Sequence, residues 1–273
     1  MKLFKNIQIF VLVMAPACLM GAAQPSSAWV QEALSCQQSG PWIVVDKKGT
    51  KVRVDGEVIS NDSKIISSGT YIEDLNTMAD VMQAPDLELA RAYPLINLNP
   101  LLLCVHAKLY YQGKQFRDWI YESYISRIDE ALLNKNDSVH FIFTVRELDS
   151  EKLLGIVMFE VGKDHAYGTV ELGPLAVTQE AQGRGLSKVL SCSILKLLPQ
   201  ANRIILEALC SNTKAIDIYK TFGFTQYQRD YGNFNIFVRH IKSYFYAYEY
   251  LMSTSRTLQD CAAKFVPVRS CVQ

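Results

Sequence analysis

An excess of charge of one sign is nearly absent from this chain: 28 Lys and Arg stand against 27 Asp and Glu, a net of +1. That balance excludes a polybasic nucleic-acid or membrane-surface binder. Glycine and proline are sparse, at 14 and 9 of 273 residues, which excludes collagen-like and low-complexity chains. Seven cysteines are too dilute for a small disulfide scaffold. No Cys-x-x-Cys pair occurs, and His106, His140, His165 and His240 are scattered, so no metal is expected. No internal repeat is visible. What is present is an apolar share of 49%, enough for a globular core.

The amino terminus is laid out like a secretory signal. Lys2 and Lys5 precede a mostly apolar, uncharged stretch over 7–15, and the small residues Ala15, Ala17, Gly21, Ala22 and Ala23 follow. Cleavage is expected near Ala17 or Ala23, giving an exported protein. The alternative is a hydrophobic N-terminal helix on a cytoplasmic protein. The apolar run breaks at Pro16, short of the roughly 20 residues of a bilayer span, so membrane contact is expected only through an uncleaved leader. Without Cys18 the cysteine count is even. Cys261 and Cys271 then have the spacing to close a small loop in an oxidising compartment, the alternative being buried reduced thiols.

Four regions are expected: a leader over 1–23, a small β-meander over 24–62, a main domain over 63–254 and a tail over 255–273. Strand-like runs at 43–45 and 52–54 flank Lys47-Lys48-Gly49, and Asp55-Gly56 reads as a second turn. A strand at 64–70 follows, then a helix opened by the capping box Thr70 and Glu73. Prolines punctuate an apolar stretch before a second helix over 116–132. Strands at 140–146, 153–161 and 169–177, with short turns between them, predict an antiparallel meander. A helix over 186–198, a strand at 203–208, a helix over 212–222 stopped by Gly223, and strands at 224–228 and 244–252 complete the pattern.

Two pieces of this pattern carry chemistry. The third meander strand ends in Leu175, Ala176 and Val177, and the chain then runs Gln182-Gly183-Arg184-Gly185-Leu186-Ser187-Lys188 into a helix. Glycines at Gly183 and Gly185 permit a sharp turn that aims free N–H groups at one point, at the positive end of the helix dipole. Such a site suits a pyrophosphate. It is not a P-loop, because no Gly-Lys-Ser/Thr stands there, and an antiparallel meander does not precede a dinucleotide-binding turn. Downstream, Asn212, Ala215, Tyr219, Gly223 and Phe224 spell Asn-x-x-Ala-x-x-x-Tyr-x-x-x-Gly-Phe, with the first three on one helix face.

Together these pieces resemble the GNAT superfamily of acetyl-CoA-dependent N-acetyltransferases, whose turn reads Gln/Arg-x-x-Gly-x-Gly/Ala. Gln182 and Gly185 match, and Ser187 replaces the last small residue. The resemblance implies an α/β (α+β) fold: a mixed, mostly antiparallel twisted sheet flanked by helices, here with the β-meander as an extension. It implies acetyl-CoA as co-substrate, lying in a V where the third meander strand and the next strand part. Ala176 and Val177 would bond its pantetheine arm through their backbone. Gln182 to Lys188 would wrap the pyrophosphate, with Arg184 and Lys188 meeting its charge. Pro174, which lacks a ladder donor, would help to open the V. Asn212, Ala215 and Tyr219 complete the binding residues.

The resemblance further implies Glu171 as general base, Tyr219 as the acid that protonates the departing thiolate, and a backbone N–H near Leu175 as oxyanion donor. The amine would attack the thioester directly. The enzyme class is an acyltransferase moving groups other than aminoacyl groups. Its partner is an amine-bearing small molecule or protein, not nucleic acid. A catalytically silent acyl-CoA-binding module, or an exported effector-like interaction protein on the same fold, is the alternative. Aromatics over 230–250 and the apolar stretch 84–114 read either as an acceptor groove or as ordinary core.

Overall fold

The computed structural model describes residues 27–34, 41–59, 138–162, 165–209, 212–227 and 245–268. The leader over 1–23, the expected strand at 64–70, both expected helices between Thr70 and Leu132, and Cys271 lie outside the described residues. So does the whole segment over 228–244.

Nine strands of the described residues form a single sheet in the order β7-β8-β6-β5-β4-β3-β2-β1-β9. They are β1 (Trp42–Val45), β2 (Lys51–Ile59), β3 (Ser138–Glu147), β4 (Leu153–Gly162), β5 (Thr169–Val177), β6 (Arg203–Leu209), β7 (Thr225–Tyr227), β8 (Phe245–Leu251) and β9 (Val266–Pro267). Among the described pairs only β5 and β6 run parallel; the rest are antiparallel. β3 and β4 are buried along almost their whole length, so both faces of the sheet are covered at its centre. Among the described residues four helices pack around it: α1 (Ser27–Leu34), α2 (Leu186–Ser193), α3 (Thr213–Phe222) and α4 (Thr257–Ala262). α1 contacts β3 and β4, while α2 contacts β3, β4 and β5 and carries α4 on its side. Trp29, Phe141, Phe143, Phe159, Tyr248 and Tyr250 are the largest of the fully buried side chains, and Trp42 packs with them in the core. Trp29 also donates Nε1–H to the Thr169 carbonyl at 2.9 Å, which ties α1 to the start of β5.

The mixed, mostly antiparallel sheet flanked by helices matches the expected class. Four details differ. Asp55-Gly56 makes no turn: β2 runs straight through it, paired with β3 from Val52↔Glu147 to Ile59↔His140. The glycine serves a packing purpose instead. A Cβ at Gly56 would lie 2.4 Å from the Phe143 ring, which packs between Trp42 and Phe159. The same pairing makes the N-terminal meander continuous with the main sheet.

The helix expected over 186–198 is α-helical only to Ser193 and then tightens to a 3₁₀ turn over Ile194–Lys196. Ser193 Oγ donates to the Leu190 carbonyl at 2.7 Å and the Cys192 thiol donates to the Val189 carbonyl, bonds that compete with the helical ladder. Finally, the tail is structured. α4 packs on α2, and β9 pairs with β1 to close the far edge of the sheet. Tyr250 anchors this segment: its hydroxyl accepts from the Leu258 N–H at 3.1 Å and faces the Ser255 carbonyl and Gln259 Oε1. Tyr248 and Tyr250 are therefore core residues, not acceptor lining. Cys261 lies against Lys188 and Cys192 rather than in an exposed loop.

Candidate active site

The sheet opens between β5 and β6. Their parallel ladder has only the pairs Thr169↔Arg203, Val170↔Ile204 and Glu171↔Ile205. Beyond Glu171 each strand follows its other neighbour. β6 stays paired with β8 along all seven residues to Leu209. β5 stays with β4, where Val157↔Leu175 and Phe159↔Leu172 bracket a bulge. Two steps on β4 oppose three on β5, so one residue of the Gly173-Pro174 stretch is extra. A bulge bends its strand and sharpens its twist. The edge of Leu175, Ala176 and Val177 that faces β6 is thus left without a strand partner among the described residues.

The chain leaves β5 through a 3₁₀ turn over Gln179–Ala181 and enters the glycine turn. Gly183 and Gly185 both have φ of +78°, a left-handed conformation that only glycine adopts without strain. Gln182, Gly183 and Gly185 are exposed, and Ser187 and Lys188 are half-buried. The amides of Gln182 and Arg184 are used inside the turn, bonding to the Gln179 and Ala181 carbonyls. Those of Gly183, Gly185, Leu186 and Ser187 have no backbone acceptor among the described residues. Those of Gly185, Leu186 and Ser187 open α2, where the helix dipole adds positive potential.

Arg184 departs from the expectation. Its side chain is turned away from the exposed rim and is buried, with Nε 2.6 Å from Asp46 Oδ2. The residue expected to meet phosphate charge is therefore held by a carboxylate of the β1–β2 turn. Lys214, at the start of α3, reaches the loop instead: its Nζ donates to Gln182 Oε1 at 3.4 Å. Lys188 remains on the first turn of α2.

α3 begins as its sequence demands. Asn212 Oδ1 accepts from the Ala215 N–H at 3.1 Å and caps the helix, so both residues serve its start. Gly223 ends it at φ +98°. Tyr219 packs edge-on against Phe222 and Phe224, at ring distances of 6.5 and 5.6 Å. Burial pushes its phenol up to about 12. No hydrogen bond to its hydroxyl occurs among the described residues.

Glu171 is the last residue of the parallel ladder, at the base of the opening, with its side chain 24% exposed. His165 Nε2 stands 3.4 Å from Glu171 Oε2. The Gly162 N–H donates to His165 Nδ1 at 3.1 Å, which places the proton of a neutral imidazole on Nε2, facing the carboxylate. Cross-strand pairing also sets Glu160 directly opposite Glu171, and His140 opposite Glu160.

Sequence reasoning missed Asp46, Lys214 and His165. Asp46 reads locally as a turn residue, and nothing in the sequence signals a partner 138 positions away. Lys214 reads as an exposed helix residue. A cleft lined by Leu195, Lys196, Pro199, Ala201, Met252, Gln259 and Ala262 lies between the end of α2 and α4. It is apart from the opening and has no acid–base pair. No cluster of three or more His, Cys, Asp or Glu that could hold a metal occurs among the described residues.

Residues 107–224 match the sequence model described as the acetyltransferase (GNAT) family. No curated protein sequence matches the chain. Solved structures overlay on it at low identity. PaiA N-acetyltransferase from Thermoplasma acidophilum, in complex with coenzyme A, is 14% identical, with a TM-score of 0.44 over 72% of this chain and 98% of that one. PH1933 from Pyrococcus horikoshii OT3 is 15% identical, with a TM-score of 0.41 over 72% and 98%. The GNAT domain of S. lividans PAT is 13% identical, with a TM-score of 0.41 over 77% and 95%. The resemblance carried by the glycine turn and the asparagine-to-tyrosine helix is borne out: over residues 107–224 this chain bears the sequence pattern of the GNAT acetyltransferases.

Proposed function

We propose that this protein is an N-acetyltransferase that moves the acetyl group of acetyl-CoA to a primary amine by direct attack. The observation that carries the reading is the opening between β5 and β6, followed by a glycine turn in which the amides of Gly183, Gly185, Leu186 and Ser187 have no backbone acceptor among the described residues. The residues present fit the co-substrate. The free edge of Ala176 and Val177 offers peptide groups to the amides of a pantetheine arm. The amides of Gly183, Gly185, Leu186 and Ser187 offer donors to a diphosphate, and Lys188 and Lys214 supply cationic charge nearby. Acetyl-CoA, once bound, supplies the activated acyl carbon.

The chain's own groups do the rest. Glu171, at the base of the opening, takes a proton from the incoming ammonium through water. His165 Nε2, 3.4 Å from Glu171 Oε2, orients the carboxylate. A backbone N–H near Leu175 holds the charge that develops on the thioester oxygen. Tyr219 keeps its proton and donates a hydrogen bond to the sulfur as the C–S bond breaks; the nitrogen, now bonded to the acyl carbon, gives its second proton to solvent, and coenzyme A leaves as a thiolate that water protonates. Neither Cys192 nor Cys261 is needed as a nucleophile. Both are buried, and burial and the neighbouring Cys261 raise the Cys192 thiol well above its usual range.

The test is coenzyme A binding by calorimetry, then thiol release from acetyl-CoA with a panel of amines. Saturable binding and amine-dependent release, reduced about a hundredfold in Glu171→Gln, are expected from the worth of a general base. Absence of affinity for coenzyme A overturns the proposal. Binding without release under every amine would leave a silent acyl-CoA-binding module.

A further inference from the structure

We propose that Asp46 is a positioning residue for the diphosphate loop, acting through Arg184 from a hairpin outside the segment that carries the family's pattern. The inference rests on the reading of the glycine turn as the diphosphate site and extends it to a new residue.

The turn between β1 and β2 is rigid by its own bonds. Asp46 Oδ1 accepts the N–H groups of Lys48 and Thr50, both at 2.9 Å. The Asp46 N–H donates to the Thr50 carbonyl at 2.8 Å, and the Gly49 N–H donates to the Asp46 carbonyl at 3.0 Å. Val44 and Val52, at the two ends of the turn, are in the core. This fixed turn takes hold of Arg184 in two places. Asp46 Oδ2 accepts from Arg184 Nε at 2.6 Å, and the Lys47 N–H donates to the Arg184 carbonyl at 2.9 Å. A more distant carboxylate, Glu147, stands 3.9 Å from Arg184 Nη1.

The second hold determines a direction. The Arg184 carbonyl and the Gly185 N–H belong to one planar trans peptide and point opposite ways. With the carbonyl pinned to the hairpin, the Gly185 N–H must point away from it. Gly185 fits closely: a Cβ there would stand 3.4 Å from Lys47 Cβ, so the hairpin lies against the glycine itself. The Asp46–Arg184 pair holds this peptide in place from its other end.

Burial makes a purely stabilising role a poor explanation. The Asp46 side chain is fully buried and that of Arg184 is 10% exposed. Apolar groups of similar size generally stabilise a fold as well as a buried ion pair or better. What the pair adds is a fixed direction, at the turn where two left-handed glycines leave the backbone least constrained.

The experiment compares Asp46→Asn with the wild-type protein, measuring affinity for coenzyme A and for pantetheine, which lacks the diphosphate. The wild-type protein is expected to prefer coenzyme A. In Asp46→Asn that preference shrinks on the order of tenfold, the worth of one misaimed hydrogen bond to a charged group, while pantetheine affinity is unchanged. A parallel fall in both affinities, or no change in either, overturns the inference. The double variant Asp46→Leu/Arg184→Met replaces the pair by apolar groups, guards against simple unfolding, and is expected to lose the same preference. A folded double variant that keeps it also overturns the inference. A wild-type protein that binds coenzyme A no better than pantetheine would instead refute the loop as a diphosphate site.

Discussion

Replacing Tyr219 by Phe removes a single oxygen and tests the departure of the thiol. Burial has raised this phenol from 10 to about 12. Each pKa unit is about 1.4 kcal/mol, so the phenolate is disfavoured by about 3 kcal/mol. An ordinary thiol titrates near 8.5, so complete proton transfer from such a phenol to a free thiolate would cost about 5 kcal/mol. Hydrogen-bond donation is the favourable role, and one bond to a charged acceptor contributes about 1.5–3 kcal/mol. The kcat for thiol release should therefore fall roughly tenfold to a hundredfold, while the KM for acetyl-CoA moves little. The wild-type rate should show no alkaline limb that vanishes in the variant, because a group titrating near 12 stays protonated throughout the assay range. The melting temperature should hardly change, since Phe keeps the edge-on contacts with Phe222 and Phe224. Equal rates for the two proteins would refute the role. An alkaline limb near 10 present only in the wild type would refute the argument from burial.

Gly183→Ala meets no atom within 4 Å but must hold φ at +78°, so it should cost about 1–2 kcal/mol in denaturant unfolding and weaken coenzyme A binding. Gly56→Ala drives a Cβ to 2.4 Å from the Phe143 ring and should cost about 1–3 kcal/mol, read as a lowered melting temperature without loss of coenzyme A affinity. Burial pushes the Asp46 carboxyl up, but its bonds from Arg184, Thr50 and Lys48 outweigh that and hold it below its ordinary value. A depressed carboxylate contributes stability above its unfolded pKa of about 3.9, and that contribution is lost as pH falls through the folded value. The stability gap between wild type and Asp46→Asn, followed by thermal melts from neutral to acid pH, should therefore close on acidification. A gap that widens instead would show the sign to be wrong.

The legible parts of the fold were those whose cause is local. The alternation and turn residues around β3, β4 and β5 placed the meander to within two residues, and Gly223 marked the end of α3 because a left-handed stop requires glycine. Gly56 misled for the opposite reason: locally Asp-Gly is a turn signal, yet the ring of Phe143 decides the matter from another strand. The α2 boundary was obscured by the side-chain bonds of Cys192 and Ser193 to the preceding turn. In the site, the glycine turn and the Asn212 cap were readable because their geometry is written in consecutive residues. The Asp46–Arg184 pair was not, because each residue alone has an ordinary surface explanation and only the folded sheet brings them together.

The opening itself arises from a conflict between pairings, not from a missing element. β6 is held along its full length by β8, and β5 continues past the bulge in register with β4 from Leu175 to Val177. After the one-residue bulge at Gly173-Pro174, β5 cannot keep both its β4 register and its β6 ladder, and the three-pair ladder is the weaker constraint. The inner edges therefore give up their mutual hydrogen bonds, while each strand remains bonded on its outer side. That cost stays small as long as water or a ligand reaches those groups, since a polar group left buried and unpaired would cost about 1–3 kcal/mol. On the proposed reading, a ligand with amides spaced along a narrow arm would replace the water, and its anionic end would then meet the amides of Gly183, Gly185, Leu186 and Ser187, which have no backbone acceptor among the described residues. On that reading, the bulge that opens the sheet and the hairpin that holds Arg184 act on the two ends of one groove: the first would supply peptide groups for the arm, the second a direction for the donors at its end.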